Sequence, residues 1–147
     1  MFFIIVLFLS GITAIFIEAE LSFLLDIFSS SLQLHYWLQK VLSSYKNVNN
    51  GAPFLLYAYD WLAFAHFILA ILFIGPYRNP IKNVWVIEFG LISCLLIFPV
   101  AFVAGSFREI PVGWRLVDCA FGLFGFIPLW ICYSKTKTLI SENYSIK

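Results

Sequence analysis

Four apolar runs, at residues 1–17, 53–75, 84–106 and 114–133, take up most of this 147-residue chain, and nearly every ionisable residue stands at an end of one of them. Each run approaches the roughly 20 apolar residues that a helix needs to cross the hydrocarbon layer of a bilayer. The pattern predicts an all-α integral membrane protein. Four transmembrane helices form a bundle, amphipathic interfacial helices lie between the first and second, and residues 1–147 make one membrane domain.

Composition leads to the same compartment. Hydrophobic residues make up 62% of the chain and charged residues 12%, about half the charged share of a soluble domain. A net charge of +1 offers no basic footprint for nucleic acid. Trp37, Trp61, Trp85, Trp114 and Trp130 all fall near expected helix ends, where amphipathic rings favour the headgroup layer. Cys94, Cys119 and Cys132 lie inside apolar runs without metal-ligand or redox spacing, and read as small buried residues. The first run has the length of a secretory signal core but lacks the basic residues that precede one, so it reads as a crossing.

Orientation follows from Lys and Arg in short flanks. Arg78 and Lys82 stand in a tight turn, and Lys135 and Lys137 follow the last run. Both termini are therefore expected on the cytoplasmic side of a bacterial inner membrane. Acidic residues segregate to the other side: Glu18, Glu20, Asp26, Asp60, Glu109 and Asp118, against Glu88 and Glu142 within.

The connection between the first two runs is no plain loop. Leu21, Leu24, Leu25, Phe28 and Leu32 recur at helical spacing, as do Leu34, Leu38, Val41, Leu42 and Tyr45. Two amphipathic helices over residues 21–46, broken near the serines at 29–31, fit the outer interface. They either pack over the bundle or roof a ligand site. Residues 47–53, rich in Asn with Gly and Pro, read as a turn. Pro76 and Pro80 hold the second and third crossings in a short hairpin, and Glu88 just beyond is expected to pair with Arg78 or Lys82. Pro99 and Pro128 imply kinks, and Gly122 and Gly125 imply close helix approach.

The candidate site is a polar cluster at the outer helix ends. Glu18 and Glu20 close the first crossing, Asp60 opens the second, and Arg108, Arg115 and Asp118 border the last turn. Arg115 and Asp118 are three apart and can pair on one helix face. His66 lies about 9 Å below Asp60 on a regular helix, within the hydrocarbon layer, where an ionisable group is a functional hypothesis by default. It is equally readable as a structural His bonded to a hydroxyl or backbone carbonyl. At about 240° around the helix from Asp60, its acidic partner must come from Glu18, Glu20 or Asp118. The candidates for catalysis are thus His66, Asp60, Glu18 and Glu20. Arg108, Arg115, Asp118, Glu88 and Arg78 make up the ligand-binding or ion-pairing set.

No cofactor is expected. Neither haem nor metal ligation finds support in the spacing of His35, His66 and the carboxylates. Ser10, Ser93 and Ser106 lack the context of a nucleophile, and the sequon at Asn143 falls on the cytoplasmic side. The stretches Asp60-Trp-Leu-Ala-Phe-Ala-His66, Phe73-Ile-Gly-Pro76 and Trp85-Val-Ile-Glu-Phe-Gly90 resemble parts of small bacterial membrane proteins, a likeness that carries no activity. In outline, with an acidic end to the first helix, a long amphipathic connection and polar residues inside apolar helices, the chain is also similar to the EXPERA family of sterol isomerases and sterol-binding proteins. That likeness implies an intramembrane His and Glu acting on a protonated intermediate, parts that His66 and Glu18, Glu20 or Glu88 would take.

Two classes of function stay open. The chain is either a structural, accessory or binding module, with the lipid bilayer and other membrane-protein subunits as partners, or an enzyme or receptor that admits a hydrophobic, lipid-like small molecule to His66. Transport is weaker, because four helices without an inverted repeat leave little room for alternating access.

Overall fold

The computed structural model describes residues 1–145, with Leu32 and residues 143–145 described in backbone only. It is 88% helical, without strands among the described residues. The helices are α1 (Phe2–Ile15), α2 (Ile17–Ile27), α3 (Leu32–Gly51), α4 (Tyr57–Leu72) entered through a 3-10 turn at Pro53–Leu56, α5 (Ile74–Arg78), α6 (Val84–Phe107) and α7 (Val112–Ser145). The chain divides into two compact units, Phe2–Ile71 and Leu72–Lys147.

Three helical stretches are long and apolar enough to cross a membrane among the described residues: Pro53–Arg78, Val84–Phe107 and Val112–Glu142. They carry the second, third and fourth apolar runs. The first run differs. Its 14-residue helix α1 rises only about 21 Å, short of the ~30 Å hydrocarbon layer, and a 97° bend at Phe16 turns the chain into α2. Phe16 leaves the helical region (φ −101°, ψ 33°) with neither Gly nor Pro at the break. The last helix also exceeds expectation, because α7 continues through 34 residues, about 51 Å. The Asn-rich residues before Gly51 are helical, so the expected turn at 47–53 narrows to Ala52 (φ −149°, ψ 61°) and the 3-10 turn after it. Pro99 and Pro128 lie inside α6 and α7, which run on through both.

In the unit Phe2–Ile71, α2 and α3 fold back on each other through residues 28–31. They bury Leu21 and Leu38, and the ammonium of Lys46 on α3 lies 3.4 Å from the Glu18 carboxylate on α2. Helix α1 meets α4 where Gly11 lies under the Phe67 ring. A Cβ there would come within 2.7 Å of that ring, so the absent side chain is what lets the two helices touch.

The unit Leu72–Lys147 is built on the antiparallel pair α6 and α7. Gly122 sets their spacing, since a Cβ at this position would stand 2.8 Å from the Cys94 carbonyl oxygen, which is backbone and cannot give way. Gly90 likewise lies against Leu129 and Phe73. The buried residues include Phe73, Val86, Ile87, Leu91, Cys94, Ala101, Cys119, Leu129 and Thr136. Thr136, the buried polar side chain, donates its hydroxyl to the Cys132 carbonyl 2.8 Å away, as Ser93 does to Phe89 and Ser106 to Phe102. For a hydroxyl on a helix the carbonyl one turn back is the nearest acceptor, and Ser44, outside the long apolar helices, makes the same bond.

Four residues, 108–111, join α6 to α7. The Ile110 amide donates to the Gly105 carbonyl (2.9 Å) and the Glu109 amide to Ser106 (3.3 Å), the paired bonds of a Schellman cap. The left-handed position of that cap belongs to Glu109 at φ 55°, a conformation that glycine adopts without steric penalty.

Glu109→Gly is expected to raise unfolding stability in detergent by up to about 1 kcal/mol, because it relieves that backbone. Gly122→Ala is expected to lower it by about 1–3 kcal/mol through overpacking. Gly113→Ala, where a Cβ meets nothing within 4 Å, is the clash-free control and is expected to raise stability by up to about 1 kcal/mol as alanine replaces glycine in a helix; thermal unfolding of the three variants in one detergent decides both.

Candidate functional site

The charged groups singled out in the sequence fall into both units, and their immediate surroundings are set within each. In the unit Phe2–Ile71, α2 begins with Glu18 and Glu20 in its first turn, where carboxylates suit the positive end of the helix dipole. Glu18 is held by Lys46, a partner the sequence reading did not single out. Glu20 is half-buried and Asp60, in the first turn of α4, is exposed.

His66 is half-buried on α4, on the face that also carries Ala63, Phe67 and Ala70. Its Nδ1 lies 2.7 Å from the Leu62 carbonyl oxygen. A carbonyl can only accept, so Nδ1 carries the proton and donates, and in the neutral ring Nε2 is left as the acceptor. The bond ties the imidazole to its own helix, and Asp60 takes no part in it. His35 on α3 presents a contrast: its Nδ1 is buried with no hydrogen-bond partner, and nothing in its surroundings accounts for that.

In the unit Leu72–Lys147 two expected pairings take different partners. Glu88 lies 3.4 Å from the Lys137 ammonium, not beside Arg78 or Lys82. Lys137 also sits over the Tyr133 ring, 5.2 Å from its centre. The long helix α7 brings this lysine within reach, and the sequence reading ended the last crossing four residues before it. Arg115 does not pair with Asp118 either. Its Nε donates to the Ile110 carbonyl at 2.7 Å and its terminal nitrogen to the Ser106 hydroxyl at 2.8 Å. The stem of Arg115 lies flat on Gly105, where a Cβ would come within 2.9 Å of it. The guanidinium therefore fastens the 108–111 connection onto the end of α6. Asp118 is half-buried in the second turn of α7 and takes no ion-pair partner among the described residues. Arg78 and Arg108 are exposed.

Chemically, the arrangement offers one imidazole acceptor within a candidate span and several carboxylates near span ends. Among the described residues no three of the His, Cys, Asp and Glu side chains gather closely enough to hold a metal ion. A short hairpin could have pointed to Ser106, because the apolar runs at 84–106 and 114–133 set the last turn of the one beside the first turns of the other. No comparable signal marked Lys46 or Lys137.

A double-mutant cycle on Arg115→Gln and Asp118→Asn is expected to show coupling below about 0.5 kcal/mol, as for groups that do not interact. Arg115→Gln alone is expected to destabilise the protein by about 1–3 kcal/mol through the lost charge-assisted bonds; coupling above 1 kcal/mol would restore the Arg115–Asp118 pair. Comparison of the chain with protein-family models, with curated proteins and with solved structures found no match.

Proposed function

We propose that the chain is a small polytopic membrane protein acting as a structural, accessory or binding module of a larger membrane complex. The observation that carries this reading is the division between faces and ends. At most 33% of the 18-residue apolar stretch in any candidate span is buried, so the apolar faces are left for lipid or neighbouring helices. Glu18, Glu88 and Arg115, meanwhile, are occupied by Lys46, Lys137 and the 108–111 connection. An ion-pair and capping role needs no substrate.

In this reading the first run, residues 1–17, makes the first of four crossings, with the bilayer thinned around its short helix α1. The bundle is a single membrane domain in a bacterial inner membrane with both termini cytoplasmic. The 97° bend supports α1 entering the bilayer while α2 lies along its surface. Phe16, Phe23 and Ile27 are exposed at spacings of seven and four residues, an apolar stripe suited to the interface, and Glu18, Ser22 and Asp26 form a polar stripe beside it. Lys147 and the Asn143 sequon, which bear on the orientation, lie outside the described residues and side chains.

A second reading rests on His66, whose Nε2 is an acceptor inside a span. An enzyme or receptor for a hydrophobic, lipid-like molecule would use it for proton exchange, with Asp60, Glu18 or Glu20 as the acid. Blue-native electrophoresis of the protein extracted in mild detergent separates the two. The module reading expects one discrete band well above the 16.9 kDa chain that survives His66→Gln. A monomer that copurifies with a lipid-like molecule, and releases it on His66→Gln with unchanged thermal stability, would replace the module by the receptor.

A further inference from the structure

The two ends of the α6–α7 unit differ in charge. At the end holding the 108–111 connection, Arg108 and Arg115 are matched by Glu109 and Asp118, and Arg115 is spent on Ile110 and Ser106. At the opposite end stand Arg78, Lys82, Lys135 and Lys137. Gly90 against Leu129 fixes the antiparallel register, which brings Lys135 level with the start of α6 and so with Lys82. Asn83 donates its side-chain amide to the Gly75 carbonyl (3.2 Å) and the Asn79 carbonyl (2.9 Å), and the Lys82 amide donates to the Asn79 side chain (3.0 Å). The turn bearing Arg78 and Lys82 is thereby held against the beginning of α6.

Glu88 neutralises Lys137. The other three cations are exposed and make no ion pair among the described residues. Tyr77, Trp85 and Trp130 are more than half exposed at this same end, rings of the kind that settle at headgroup depth. Three unpaired cations at that depth face the phosphate layer, and among the described residues no carboxylate of this end is left to answer them except Glu142, which has an interaction of its own.

We propose that Arg78, Lys82 and Lys135 form a docking surface for the headgroups of anionic phospholipids. The proposal rests on the membrane-spanning reading and adds to it a preference for one lipid class. Each basic residue near an anionic surface favours association by roughly fivefold, so three together are expected to select phosphatidylglycerol over phosphatidylcholine by at least about tenfold.

Native mass spectrometry of the purified chain from detergent micelles, with dioleoyl phosphatidylglycerol and dioleoyl phosphatidylcholine competing, measures that ratio. The wild type and Arg108→Gln are expected to select the anionic lipid, and the triple variant R78Q/K82Q/K135Q to fall to near parity. Parity in the wild type, undiminished selection in the triple variant, or equal loss in Arg108→Gln would overturn the proposal. Displacement of the lipid by millimolar inorganic phosphate would overturn it in favour of a free-phosphate site. Should the triple variant not fold, the wild type in 0.5 M salt, where exposed charges are screened, must lose selectivity, and Lys135→Gln must lower it by about fivefold. Recovery of the chain in buffer without detergent would sink the spanning reading itself, whereas a micelle-embedded chain indifferent to headgroup charge sinks this proposal alone.

Discussion

Hydrocarbon offers no hydrogen-bond partner, and the rest of this structure follows from that. Every amide in a span must find its acceptor on the same helix, which makes the chain helical wherever it is apolar. Side-chain hydroxyls inside the spans obey the same constraint: Ser93 and Ser106 each donate to the carbonyl one turn back. His66 does likewise with Leu62. Polar atoms at membrane depth are thus settled locally, before any contact between helices is made.

With hydrogen bonding settled within helices, association between them depends on shape. Lipid tails are as apolar as leucine, so close packing rather than expulsion from water holds α6 to α7. The fit is made by removing side chains. Gly122 lets α7 lie on the backbone of α6 at Cys94, Gly90 admits Leu129, and Gly105 makes room for the stem of Arg115. The connection between the helices then needs only four residues, closed by the Schellman cap around Glu109 and fastened by Arg115. A charge that the chain carries at the edge of the membrane is used to hold a turn.

How far the sequence could be read depended on whether the relevant information was local. The runs at 53–75 and 84–106 matched helical spans closely, because length and apolarity are properties of a run alone. The break of the surface segment near residues 28–31 was legible from its serines. The bend at Phe16 was not, since no Gly or Pro marks it. The candidate site was legible in membership only. Glu88 was expected to bond Arg78 or Lys82 and is held by Lys137 instead, because α7 runs past the end assigned to it. Arg115 and Asp118 have the spacing of a pair, yet the guanidinium finds its acceptors at Ile110 in the preceding loop and at Ser106 on the last turn of α6.

The sequence by itself determined the environment of this protein, its helical state and the edges at which its charges collect, because a run of apolar residues has the same transfer free energy and the same backbone requirement whatever lies beside it. Tertiary structure decided which partner each charge takes and where the first helix turns. Each residue rotates a side chain by 100° around its helix, so the choice of partner depends on register and on the glycines that set it, which no stretch of sequence states alone.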